Sequence, residues 1–272
     1  MSTNQSKFVW YDAMTSDCKA AESFYRTVIG WDAKDSGMAD LLAAALRYRT
    51  YTIFSMEPTM VGGLMPIPEK AKGTRPCWRG YIGVDDVDGY AARVKAAGGE
   101  VHRAPEDIPG TGRFAVVSDP HGAVFILFKG VGEPPSEHIL PGQPGHIGWH
   151  ELQAGDGISD FTFYADLLGW TKVEAIDMGP MGIYQTFATG GEAVGGMMTK
   201  MPDAPAPFWL YYFNVDALDA AVARVTESGG QVLMGPHQVP SGQWIAQCID
   251  PQGAMFAMIS AKRCSASVAQ QR

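Results

Sequence analysis

The two halves of this sequence carry the same landmarks in the same order. Trp10 matches Trp149, Phe24-Tyr25 matches Phe163-Tyr164, and Gly30-Trp31 matches Gly169-Trp170, each at an offset of 139. Further on, Val61-Gly62-Gly63 matches Val194-Gly195-Gly196 at 133. From there Trp78, Val84-Asp85, Gly98-Gly99, Pro109 and Asp119-Pro120 match Trp209, Val215-Asp216, Gly229-Gly230, Pro240 and Asp250-Pro251 at 131. A chain with such a repeat folds as two copies of one unit. The second copy is six residues shorter (139 − 133 = 6) somewhere between Asp32 and Met60, against Thr171 to Ala193. Residues 130–145, GVGEPPSEHILPGQPG, read as a linker. The expected organisation is a first module over 7–129, a second over 146–260, and a tail over 261–272 that frays for want of apolar residues.

A weaker repeat lies inside each copy. A short apolar strand (FVWYDAM, then WRGYIGV) leads to an Asp near a helix start. Ala21, Phe24, Tyr25 and Val28, and later Val87, Tyr90, Ala91 and Val94, then recur at helical spacing. Gly30 and Gly98 fall where helices end, and β-branched and aromatic runs such as RYRTYTIF, RFAVVSD and AVFILFKG follow. The unit is β-α-β-β-β. Four of them in two tandem pairs make an α+β protein.

Composition narrows the class. With 46% hydrophobic and 18% charged residues, the 272-residue chain belongs among globular proteins. Its 21 basic against 29 acidic residues give 21 − 29 = −8, with no basic stripe, so nucleic acid and anionic membrane surfaces are excluded as partners. Cys18, Cys77, Cys248 and Cys264 form no close pair and no Cys-x-x-Cys motif, and read as reduced thiols. No apolar run approaches the ~18 residues of a membrane span, and the N-terminus lacks a signal-peptide core. A cytoplasmic location, as a monomer or homodimer, is the expectation.

The sequences FYRTVIGW and FYADLLGW, VDDVDGYAARVKAAGGEV and VDALDAAVARVTESGG, and DPHGAVFILF and DPQGAMFAMI occur in that order in each copy. In this they resemble the vicinal oxygen chelate superfamily: glyoxalase I, bleomycin-resistance proteins and extradiol dioxygenases. The resemblance spans about residues 7 to 260. It implies the glyoxalase/bleomycin resistance/dihydroxybiphenyl dioxygenase fold, in which each pair of units curls into an open cup that binds a small molecule. Enzymes of the superfamily hold one divalent metal there through His, Gln or Glu. Aligned on these motifs, the ligand positions fall on Trp10, Gly63, Arg79 and Ile126, and on Trp149, Gly196, Leu210 and Ala257. Those residues lack the donor atoms a divalent ion needs, so no metal and no other cofactor is expected.

Several residues then carry two readings each. Asp12 and Glu151 are repeat-equivalent, each two residues after its tryptophan and therefore on the same strand face. In a cup they would be raised carboxyls suited to acid/base catalysis; otherwise they are structural hydrogen-bond acceptors. Trp10, Trp78, Trp149 and Trp209, with Tyr51, Tyr184, Tyr211, Met65, Met197, Met198 and Met258, either floor two ligand cups or pack the core. His150 sits beside Glu151 but on the opposite face, as a structural histidine or a ligand-contacting one. His121, His138 and His146 read as surface turn or linker residues, and His102 and His237 are not repeat-equivalent. Arg79, opposite Leu210 in the repeat, either clamps an anion, pairs with Asp12 or reaches solvent.

The functional expectation is a glyoxalase/bleomycin-resistance-type protein that binds a small aromatic or apolar metabolite without the usual metal triad. The alternative is a lyase, isomerase or dioxygenase of the same superfamily that uses Asp12 or Glu151, or a metal site the alignment misplaces.

Overall fold

The computed structural model describes residues 6–37, 50–132 and 142–264. Residues 133–141 of the linker, including His138, and 265–272 of the tail lie outside it. The first module contains β1 (Phe8–Thr15), α1 (Cys18–Ile29), β2 (Asp32–Asp35), β3 (Thr52–Met56) and β4 (Thr59–Pro66), then β5 (Cys77–Gly83), α2 (Val87–Ala96), β6 (Glu100–Ile108), β7 (Gly112–Ser118) and β8 (Val124–Gly130). The second contains β9 (Ile147–Ala154), α3 (Gly157–Leu168), β10 (Thr171–Asp177), β11 (Ile183–Ala188) and β12 (Ala193–Thr199), then β13 (Phe208–Asn214), α4 (Leu218–Glu227), β14 (Gln231–Gln238), β15 (Trp244–Ile249) and β16 (Met255–Ser260). Each unit is thus βαβββ. Two units share one eight-stranded mixed sheet, ordered β2-β3-β4-β1-β5-β8-β7-β6 and, identically, β10-β11-β12-β9-β13-β16-β15-β14.

The helices start where short acidic side chains cap them: Asp17, Asp86 and Asp156 each accept backbone N–H groups of the first turn. The fourth begins at Ala217 without a side-chain cap. Apolar side chains at helical spacing (Ala21, Phe24, Tyr25, Val28) turn inward, and one cluster of buried residues drawn from both modules results.

That common core forms because the helix-bearing faces of the two sheets pack against each other, and repeat-equivalent groups stitch it reciprocally. The Tyr25 hydroxyl donates to Asp250 of the other module at 2.9 Å, and Tyr164 donates to Asp119 at 3.1 Å. Trp31 Nε1 donates to the Gly145 carbonyl and Trp170 Nε1 to the Ser6 carbonyl, both at 2.7 Å. Arg224 donates to the Val28 carbonyl and Arg93 to the Leu167 carbonyl, each placing a cation on the negative end of a helix in the opposite module. Such a pattern is that of a two-fold axis within one chain.

On that axis, equivalent positions face each other. Tyr11 meets His150 with 2.6 Å between its hydroxyl and Nε2, and the Gly80 N–H donates to the Tyr211 hydroxyl at 2.6 Å. The pairs are complementary rather than identical, since two copies of one large side chain cannot occupy one spot.

Candidate functional site: two carboxylate-tyrosine cups

Strand alternation decides which residues reach the cup faces, the faces turned away from the common core. In the first module Met14, Met65, Phe114 and Ile126 form a separate buried cluster with Tyr51, Cys77, Tyr81, Val116 and Phe128 around it. In the second, Leu210, Tyr212, Ile245, Ala257 and Ile259 do the same, with Trp149 and Phe208.

Each cup has a buried carboxylate at its centre. Asp12 is 2% exposed; its Oδ1 accepts from the Tyr51 hydroxyl at 2.6 Å and from Trp10 Nε1 at 3.0 Å, and its Oδ2 from the Tyr81 hydroxyl. Trp10 Nε1 also reaches the Tyr51 oxygen at 2.8 Å. Glu151 is 7% exposed and repeats the arrangement: its Oε2 accepts from Tyr212 at 3.0 Å and Tyr184 at 3.2 Å, while Trp149 Nε1 donates to the Tyr184 oxygen at 2.7 Å. Gln153 at 2.7 Å and Gln247 at 3.5 Å serve its Oε1.

Burial raises both carboxyls above the ordinary range. The tyrosine and tryptophan donors and the positive charge of Arg79 oppose the rise at Asp12; Gln153, Tyr212 and Tyr184 oppose it at Glu151. Burial and the neighbouring carboxylate hold the Tyr51 and Tyr184 hydroxyls well above their usual range, so both tyrosines remain proton donors.

The glycine pair lies within the fourth strand of each module, Gly62-Gly63 in β4 and Gly195-Gly196 in β12, and has a physical reason there. Asp12 lies beside Gly63 in the parallel β1–β4 register, and Glu151 beside Gly196 in β9–β12. A Cβ on Gly63 would overlap the Tyr51 hydroxyl and the Asp12 carboxylate, and one on Gly196 would overlap the Tyr184 ring. Glycine there lets the tyrosine lie flat over the strand and reach the acid.

Of the residues singled out from sequence, Trp10, Asp12, Met65 and Arg79 come together in one cup, and Trp149, Glu151 and Tyr184 in the other. Trp78, Met197, Trp209, Tyr211 and Met258 do not: they lie on the opposite faces, inside the common core. Trp78 precedes Arg79 and Tyr211 follows Leu210, so alternation sends each away from its neighbour's cup. His150 is also on the core side. It is stacked on Phe8 at 4.1 Å, its Nδ1 faces the Val194 carbonyl at 2.7 Å, and burial pushes its pKa down to about 4. His146, expected at the surface, is buried where the chain enters the second sheet: its carbonyl accepts from the Asn214 N–H and its Nδ1 lies 3.1 Å from the Pro144 carbonyl. His121 is half-exposed and meets the buried Asp160 at 2.6 Å.

Sequence reasoning alone misses Tyr81 and Tyr212, although they do carry a signal. They are repeat-equivalent at 131 and two residues beyond Arg79 and Leu210, hence on the cup face. Gln153 and Gln247 carry no such signal, since Met14 and Val116 stand in their places in the first module.

Two eight-stranded sheets of paired βαβββ units, each with a central polar cluster in an apolar cup, define the class of protein. The Glyoxalase/Bleomycin resistance protein/Dioxygenase superfamily is matched over residues 7–127 and again over 144–258, and the chain belongs to it. It is 32% identical over 255 residues to CFP32 of Mycobacterium tuberculosis (strain CDC 1551 / Oshkosh), named provisionally as a glyoxylase, covering 92% of this chain and 93% of that one. It is 33% identical over 266 residues to the anthracycline biosynthesis protein DnrV of Streptomyces peucetius, covering 92% and 91%. The Mn(II)-bound glyoxalase from Novosphingobium aromaticivorans shares the fold, with a TM-score of 0.65 at 17% identity over 95% of this chain and 83% of that one.

Proposed function

We propose that each cup binds a small aromatic or otherwise apolar metabolite without a divalent metal. The observation that carries this reading is how the cup acids are used. Every oxygen of Asp12 and Glu151 already accepts from the protein's own tyrosine, tryptophan or glutamine donors. A group so occupied holds tyrosines in place and has little capacity left to coordinate an ion. Its neighbours at the superfamily's ligand positions, Trp10, Gly63, Arg79, Ile126, Trp149, Gly196, Leu210 and Ala257, offer no donor. Among the described residues no group of three His, Cys, Asp or Glu side chains is placed to hold a metal ion.

Flat aromatic walls and methionine suit a planar ligand, and an aromatic body fits the name of the Streptomyces relative. No helix among the described residues is long and apolar enough to cross a membrane, and the four cysteines are free, which supports a reducing, cytoplasmic setting. The helix-bearing faces already cover each other within one chain, which supports a monomer.

Titration with a hydroxyanthraquinone, read by tryptophan fluorescence before and after treatment with a chelator, tests the proposal. Saturable binding that survives the chelator and disappears in Trp10→Ala/Trp149→Ala is expected. Binding that is lost with the chelator and restored by a divalent ion overturns it. A second reading, a superfamily enzyme with Glu151 as the acid/base group, draws support from its raised carboxyl. It requires turnover that Glu151→Gln lowers about 10²- to 10⁴-fold.

A further inference from the structure

The two cups differ at one linked set of positions. Arg79 lies directly opposite Asp12 in the antiparallel β1–β5 register, hence on the cup face, where the second module has Leu210 opposite Glu151. Met14 and Val116 flank the first cup, while Gln153 and Gln247 replace them in the second. One cup therefore combines a cation with apolar walls, and the other combines neutral amides with a leucine that is 1% exposed.

We propose that the first cup is a site for an aromatic monocarboxylate whose carboxylate pairs with Arg79, and that the second takes only neutral ligands. This rests on the reading of the cups as small-molecule sites. Arg79 is half-buried, lies near enough to Cys77 for its charge to oppose the rise that burial causes in the thiol's pKa, and is absent from the ion pairs of the described residues. Asp12 does not neutralise it by contact, because both carboxylate oxygens are taken up by Tyr51, Trp10 and Tyr81.

The half-buried Arg79 keeps part of its surface in contact with solvent. A ligand seated against Arg79 removes that solvent, and burying an unpaired charge is costly. A ligand with its own anion restores the pairing through the bidentate fork that guanidinium offers a carboxylate. A phosphate dianion would leave its second charge unpaired beside Asp12. Leu210 presents no such requirement, and a carboxylate pressed against it would stay unpaired.

Isothermal titration with 2-naphthoate and its methyl ester, on the wild type and on Arg79→Leu, separates the possibilities. The wild type should bind one 2-naphthoate per chain, in the first cup, and the neutral ester more tightly in the second cup than in the first. Arg79→Leu should weaken 2-naphthoate binding about ten- to a hundredfold, the range of a charge-assisted hydrogen-bonded pair, and should not weaken the ester. Arg79→Lys keeps the charge and the stem but loses the fork. It should weaken the acid alone, and it decides the question equally if the leucine variant does not fold. Unchanged 2-naphthoate affinity in both variants, equal losses for acid and ester, or tighter binding of 1-naphthyl phosphate than of 2-naphthoate each overturns the assignment while leaving the cups as ligand sites. If neither naphthoate nor ester binds the wild type, the small-molecule reading falls and this inference with it.

Discussion

The face that joins the two modules and the faces that form the cups have kept the duplication to different degrees. Across the joint, Tyr25 and Tyr164, Trp31 and Trp170, and Arg93 and Arg224 make the same bond twice, because each half of the joint must complement the other. Departures sit on the axis, where Tyr11 meets His150. In the cups, equivalent residues never meet, and divergence is free: Arg79 against Leu210, Met14 against Gln153, Val116 against Gln247, Asp12 against Glu151. Packing across the joint ties equivalent residues to one another, whereas each cup face packs only within its own module.

The sharpest way to break this contrast is a matched pair of tryptophan truncations. Trp209→Ala removes a side chain 5% exposed in the joint, whose Nε1 donates to Tyr164 at 3.1 Å, and should cost about 3–5 kcal/mol in urea unfolding. Trp149→Ala, half-buried on the cup face, should cost clearly less. Equal losses would erase the distinction between joint and cup.

The axis gives the next largest effect. His150 is held neutral, with its pKa lowered from 6.5 to about 4 by burial, so between those values the unfolded chain binds the extra proton. Stability therefore falls as pH drops from 6.5 to 4, by roughly 3 kcal/mol at 1.36 kcal/mol per unit. In His150→Gln that part of the acid slope should vanish; an unchanged slope would show that His150 does not titrate there.

For binding, Trp149→Ala should weaken an aromatic probe more than tenfold, counting the stacking of about 0.5–1.5 kcal/mol together with the lost buried area. His150→Ala should change affinity little, since its ring lies behind the sheet. A larger effect from His150 would reverse the assignment of faces.

The smallest expected effect compares the acids. Raised carboxyls bind a proton in the fold that the unfolded chain releases, so their contribution declines as pH rises above the ordinary carboxylate range. Glu151→Gln should flatten that decline more than Asp12→Asn, because Arg79 opposes the shift at Asp12 alone. The reverse order, in stability measured from pH 4 to 8, would detach Arg79 from Asp12.

Offsets of 139, 133 and 131 are enough to read the fold, because a duplication fixes which strands correspond before any strand is placed. They also place Trp10 with Asp12, and Trp149 with Glu151. Alternation, however, tells only which residues share a face and not which face is the core. Trp78, Trp209 and Tyr211 have the composition of a ligand wall, yet they fill the joint, since a sheet covered on one side by another module needs large side chains there too. The tyrosine hydroxyls on the acids come from strands distant in sequence, Tyr51 and Tyr81 for Asp12, so only the closed sheet brings them together. The glycine pair is visible as a landmark, but its purpose, room for Tyr51 and Tyr184, is not.

The crossed bonds of Trp31 to Gly145 and Trp170 to Ser6 tie the entry of each sheet to a side chain of the opposite module. Each half thus carries a latch for the other, and joining the halves in one chain, between the two modules, raises the local concentration of each near its mate. A chain cut there should reassemble from its two pieces by noncovalent complementation. For the same reason two intact chains held at high concentration can trade halves, closing both latches in trans and giving a domain-swapped dimer with every cup complete.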